Sequence, residues 1–116
     1  MESTILPSVN WDKLYSECSS DLLNEIMPLV LNEFAEAKIN LQQAHLSFDK
    51  ERLIKIIDSL IEKALWCYFD RLNDILSYLY SDVKNGSTNR LFLVFAVQEL
   101  KNIEKELEKK GFTIKT

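Results

Sequence analysis

The 116-residue sequence contains one histidine, two glycines, two prolines and two cysteines, and each scarcity closes off a class of structure or chemistry. So few breakers allow long helices and leave too little turn chemistry for a many-stranded sheet. Cys18 and Cys67 have no metal-ligand spacing, and a helical core of this size needs no disulfide staple, so both are expected as reduced thiols. No apolar run approaches ~20 residues, and the start of the chain, with Glu2, lacks the basic-then-apolar order of a secretory leader. The chain is therefore expected to be cytoplasmic and to have no membrane as a partner. Basic residues are also in the minority, 14 against 18 acidic, for a formal net charge of −4. A surface that tracks phosphates draws its affinity from clustered Lys and Arg, so nucleic acid is not an expected partner.

What the chain does have is 47% apolar and 28% charged residues, enough for one core and a solvated surface but not for two domains. The apolar positions recur at helical spacing. After a loose start over residues 1–9, Asn10 is the N-cap of a short helix carrying Trp11, Leu14 and Tyr15. Ser19-Ser20-Asp21 opens a long second helix with Leu23, Met27, Val30, Phe34, Ala37, Leu41 and Ala44 on one stripe, and Pro28 inside it predicts a kink or a break near Asn24 to Pro28. A third helix starts at the Asp49 N-cap and runs to about Trp66, with an apolar stripe wide enough for several neighbours. The fourth covers about Asp70 to Val83 and stops at Asn85-Gly86; the fifth follows a Ser87 or Thr88 cap and ends at Lys109-Lys110-Gly111. Four amphipathic helices with short connections predict an all-α fold, an antiparallel up-and-down four-helix bundle over residues 10–112, with the short first helix covering one end.

Little catalytic chemistry is visible. There is no Gly-rich phosphate loop, zinc-ligand cluster or nucleophile elbow, and no cofactor or metal is expected. His45 falls at the end of the second helix, where a cation suits the helix dipole, and reads as a surface residue. Asp58 and Glu62 stand at i,i+4, but two carboxylates without a third ligand read as surface acids. Glu99, Glu104, Glu106 and Glu108, interleaved with Lys101, Lys105, Lys109 and Lys110, read as a solvated face that includes a favourable Glu106–Lys110 pair. The aromatics fit less simply. Tyr78 and Tyr80 flank the inward Leu79, and Phe92 and Phe95 cannot both face the core beside Leu93, Ala96 and Val97 unless that end of the fifth helix is wrapped nearly all round. The expectation is burial within the bundle, with cover by a partner as the alternative.

The order of parts resembles a histidine phosphotransfer (HPt) domain over about residues 10 to 110. Asn10-Trp11-Asp12-Lys13-Leu14 is similar to the short opening helix of that family, and the third helix begins at an aspartate like Asp49, preceded by Phe48. In the family a phosphorylated histidine follows nine residues later, with a lysine and then a glycine three and four positions beyond it. Here that stretch reads Asp58-Ser59-Leu60-Ile61-Glu62-Lys63-Ala64. Asp58 occupies the phosphohistidine-equivalent position, and Ile61 and Glu62 replace the charge that balances phosphate and the glycine that lets a receiver approach. Nitrogen nucleophile, charge support and steric opening are absent together, so no phosphotransfer and no other enzymatic activity is expected.

What the resemblance implies instead is a pseudo-phosphotransfer module in two-component signalling. It would regulate a phosphorelay by protein–protein interaction, docking to a response-regulator receiver domain or a histidine kinase. The partner-binding residues would be Lys55, Asp58, Ser59, Glu62 and an exposed apolar Ile61, with Asp58 offering a fixed negative charge. The alternative is a helical adaptor or oligomerisation domain unrelated to a phosphorelay.

Overall fold

The computed structural model describes residues 7–87 and 89–114. Among them the chain forms five helices and no strand: α1 (Trp11–Glu17), α2 (Ser20–Leu46), α3 (Lys50–Trp66), α4 (Asp70–Lys84) and α5 (Leu91–Lys109). The four long helices touch in a closed circuit, α2 on α3, α3 on α4, α4 on α5 and α5 back on α2, which is bundle packing. Inside the circuit lie Phe34, Leu41, Ile57, Leu72, Leu76, Leu100 and Ile103, all fully buried. Phe34 meets Phe69 edge to face, with ring centroids 5.7 Å apart, an arrangement that sets the positive edge of one ring on the negative face of the other.

The helix starts follow the sequence in three cases. The Asn10, Ser19 and Asp49 side chains accept the backbone N–H groups of Lys13, Leu22 and Arg52 at 3.1–3.2 Å, each satisfying a donor that the first turn would otherwise leave open. α5 differs. It starts at Leu91 after Arg90, without a side-chain cap on the cap residue; Asn89 Oδ1 accepts the Leu91 N–H at 2.8 Å instead. Ser87 turns to the Asn89 N–H, and Thr88, the other expected cap, lies outside the described residues.

The four long helices end on one device, a left-handed residue just past the last turn. At the end of α4, the N–H of Ser87 reaches the carbonyl of Asp82 and that of Gly86 reaches Val83, with Gly86 at φ +79°. This is a Schellman stop, in which a left-handed residue turns two amides back onto the last carbonyls. α5 ends the same way through Gly111. α2 and α3 use it too, but with Phe48 (φ +53°) and Tyr68 (φ +56°) in the left-handed position, where a Cβ crowds the backbone.

Three expectations change. α2 runs unbroken through Pro28. The proline ring is buried in the bundle, so packing along the rest of the helix outweighs one missing hydrogen bond. The packed unit also begins before residue 10: Val9 belongs to the core, and Ser8 Oγ lies 3.5 Å from Arg71 Nη1. Of the predicted loose start, residues 1–6 lie outside the described residues. Finally, residues near both ends of the described chain meet on α1. Trp11 stacks between Tyr15 (5.7 Å) and Phe112 (6.4 Å), and Lys110 Nζ sits 5.0 Å over its ring. Lys110 is thus held by aromatic faces, a cation–π contact in place of the simple solvated cation expected.

Candidate functional site on the outer face of α3

The Asp49 cap fixes the start of α3, and the 3.6-residue repeat then decides which side chains share a face. Leu53, Ile57, Leu60 and Ala64 are buried. On the opposite side Lys55, Asp58, Ser59 and Glu62, spaced i, i+3, i+4 and i+7, are all exposed. Four of the five expected partner-binding residues therefore stand together on one solvent-facing stripe. The fifth, Ile61, is not the exposed apolar residue expected: it is half-buried and packs against the core, because its position on the wheel lies beside Ile57 and Ile54 rather than at the centre of the outer face.

A groove between α2 and α3 runs beside this stripe, lined by Glu33, Glu36, Asn40, Lys55, Ile56 and Ser59 among others. Its walls are fixed by two cross-helix contacts: Lys63 Nζ lies 3.2 Å from Glu33 Oε1, and Arg52 Nη2 donates to Asn40 Oδ1 at 3.2 Å. Lys55 and Ser59 face the groove, whereas Asp58 and Glu62 stand outside it.

The stripe continues past the residues expected from the sequence. Leu65, seven residues after Asp58, and Trp66, seven after Ser59, are 59% and 68% exposed. They border a cleft at the far end of α3 whose other walls are Glu17, Cys18, Leu22 and Tyr68. The sequence reading ends α3 at about Trp66 and gives neither residue a place in the site. The signal was present in the spacing, since both residues repeat at i+7 from the polar face.

Tyr68 is held in place by α1. Lys13 Nζ lies 5.5 Å over its ring and 3.6 Å from Glu17, and a hydrogen bond to the Glu17 carboxylate pushes the phenol pKa above its ordinary value, since the carboxylate favours the form that keeps the proton. Next to it, burial pushes the Cys67 thiol up to about 11, opposed in part by Lys63 and assisted by the Cys18 and Glu33 charges. Cys67 is accordingly an inert, protonated thiol at neutral pH.

His45 is the penultimate residue of α2 and half-buried. It lines a shallow cleft with Phe48, Lys50, Leu53, Val83, Gly86 and Ser87, separate from the Asp58 stripe. Among the described residues no group of three His, Cys, Asp or Glu side chains is placed to hold a metal ion, and no helix is long and apolar enough to cross a membrane.

The expected solvated face of α5 holds for Lys101, Lys105, Glu108, Lys109 and Lys110, which are exposed, and is corrected at Glu99 and Glu104. Glu99 is 2% exposed, with Oε1 accepting from Asn102 Nδ2 at 3.1 Å and lying 3.6 Å from Arg71 Nη1. Its Oε2 has no hydrogen-bond partner among the described residues. Glu104 is paired with Lys38 of α2 in a largely buried contact. The expected burial of the aromatics holds in part: Tyr68, Tyr80 and Phe92 pack half-buried against the core, while Tyr78 and Phe95 depart from it. Phe69 is buried, but Tyr78 and Phe95 are about half exposed, joined through Phe92 by ring contacts of 5.6 and 6.4 Å. The bundle does not wrap the start of α5.

Compared with protein-family models, with curated proteins and with solved structures, the chain matches none.

Proposed function

We propose that the chain is a non-catalytic, HPt-like binding module that docks to a response-regulator receiver domain or a histidine kinase through the outer face of α3. The observation that carries the reading is the environment of Asp58. It stands nine residues after the Asp49 cap, in the middle of α3, with its carboxylate in solvent and Lys55, Ser59 and Glu62 around it. This polar face lies open in the middle of the helix beside a groove, which leaves it accessible to a partner.

The helix order and the lid-like α1 favour the same reading, and so does the contact between Lys50 Nζ, at the start of α3, and the Lys84 carbonyl, at the end of α4 (3.1 Å), as antiparallel neighbours in an up-and-down bundle require. With a carboxylate in place of a nitrogen nucleophile, the module works in the cytoplasm by occupying a partner's surface rather than by moving a phosphoryl group. The test is titration of the labelled chain with purified receiver domains and histidine kinase domains of the organism that encodes it. Saturable binding weakened at least tenfold by Asp58→Lys or Lys55→Glu is expected. No binding, or binding indifferent to both variants, refutes the reading.

A second reading has its own observation. The ladder of Tyr78, Phe92 and Phe95 leaves apolar surface open beside Leu91 and Val94, as in a helical oligomerisation domain. Sedimentation separates the two: a chain monomeric at high concentration eliminates a self-associating role for this patch.

A further inference from the structure

The exposed end of α3 has a chemistry of its own. We propose that Leu65 and Trp66 are the anchor of the docking face and that they receive an amphipathic helical segment whose apolar residues are flanked by lysine or arginine. The proposal deepens the α3 docking reading and rests on it for the identity of the surface.

A tryptophan gains more than other side chains from entering a dry contact, because it buries a large ring while ordering few torsions, and it dominates the energetics of interfaces for that reason. Trp66 is two-thirds in solvent and Leu65 nearly so. They do not stand alone. Leu22 borders the same cleft, and Leu29, seven residues further along α2 and therefore on the same face, is 59% exposed. The apolar strip thus crosses from α3 to α2, and it has the length of a short helix rather than of a single side chain. Tyr68, with Lys13 Nζ over its ring, lines the same cleft beside Trp66.

The rim selects the partner's charge. Asp21, Glu25, Asp58 and Glu62 are exposed around the strip. Of the nearby cations, Lys13 is engaged with Glu17 and Lys63 with Glu33, and Lys55, exposed three residues before Asp58, offsets one of the four carboxylates. What remains is an excess of carboxylates facing solvent around an apolar centre. An acidic segment is repelled there, and a basic one is steered in and held at its edges.

The probe is a labelled leucine–lysine peptide of about five helical turns, roughly 18 residues, with leucine at helical spacing. Two controls accompany it: a leucine–glutamate peptide of the same spacing and a leucine–lysine peptide of the same composition with the spacing scrambled. The chain has two tryptophans, so Trp11→Phe leaves Trp66 as the sole reporter. Saturable binding of the first peptide alone, with a blue shift of Trp66 emission, is expected. Trp66→Ala and Glu62→Lys should each weaken binding at least tenfold, while Phe95→Ala, on α5, should leave it unchanged. Equal affinity for either control peptide, or an affinity within twofold of wild type for Trp66→Ala, overturns the proposal. So does self-association of the free chain that disappears in Trp66→Ala, since the occupant is then a second copy. If the peptide binds as expected and no receiver or kinase does, the anchor stands and the signalling partner falls. If a receiver binds through Asp58 and Trp66→Ala is neutral, the signalling reading stands and the anchor falls.

Discussion

Glu99 illustrates what a single residue's surroundings decide. It lies three residues after Ala96 and four before Ile103, both fully buried, so the helix repeat places it on the flank of the core. The alternating charges of the α5 tail nevertheless read as one solvated face, because composition along the chain hides the wheel position of one member. A buried carboxylate without its partners is costly, and an Arg–Glu pair broken on one side leaves the other charge uncompensated. Arg71 is partly exposed and recovers some hydration, so Glu99→Ala should cost about 2–3 kcal/mol. Glu99→Gln should cost under ~1 kcal/mol, since it keeps an acceptor for Asn102 and removes a buried charge. Urea unfolding of the two variants distinguishes these values.

Cys67 gives a prediction in pH. Its folded thiol is raised from 9.0 to about 11 by burial. Between those values the unfolded chain has released a proton that the folded chain still binds, so stability falls as pH rises. The contribution is complete below pH 9 and is lost as pH passes through 11. Tyr68, also raised by its bond to Glu17, acts in the same direction. Thermal unfolding from pH 8 upward should show this decline, and Cys67→Ala should make it shallower; an unchanged slope contradicts the assignment.

Among the elements, helix identity was legible and helix termination only half so. Asn10, Ser19 and Asp49 are polar cap residues ahead of apolar repeats, and Gly86 and Gly111 follow the last periodic residues, so those boundaries are written in residue type. The stops at Phe48 and Tyr68 are not, because neither aromatic signals a left-handed turn. The two should respond differently to glycine. Phe48 is 75% exposed, so Phe48→Gly relieves backbone crowding while giving up little packing and should stabilise by about 1 kcal/mol. Tyr68→Gly relieves the same crowding but discards the contacts to Lys13 and Glu17, and should gain less or lose stability. Guanidinium midpoints of the two variants provide the comparison. Of the kink or break expected at Pro28, the break does not occur, because the buried apolar stripe of a 27-residue helix carries the chain past one missing hydrogen bond.

For the whole molecule, helical periodicity and short connections were enough to reach an all-helical bundle, because each long helix has one apolar stripe and few breakers. The site was partly legible. Lys55, Asp58, Ser59 and Glu62 follow from helix phase, whereas Ile61 was assigned outward by motif position and faces the core flank. The i+7 spacing of Leu65 and Trp66 from Asp58 and Ser59 phases them outward, but how far they stand open depends on neighbours that fail to cover them. Under the proposed reading, a single substitution should not confer phosphoryl transfer. Asp58→His introduces a nitrogen nucleophile but leaves Ile61 and Glu62 without the charge and the opening that the resemblance assigns to those positions. Incubation with a phosphorylated receiver is expected to leave no acid-labile phosphate on that variant.

The central claim is docking without transfer, and one measurement addresses both halves. Purified receiver and histidine kinase domains are phosphorylated with labelled phosphate and titrated with the wild-type chain, following binding by anisotropy and label by acid-sensitive gel. The account predicts saturable binding to at least one domain, lost in Asp58→Lys, with no label on the chain at any point. Label appearing on the chain, or the absence of binding to every domain, contradicts it.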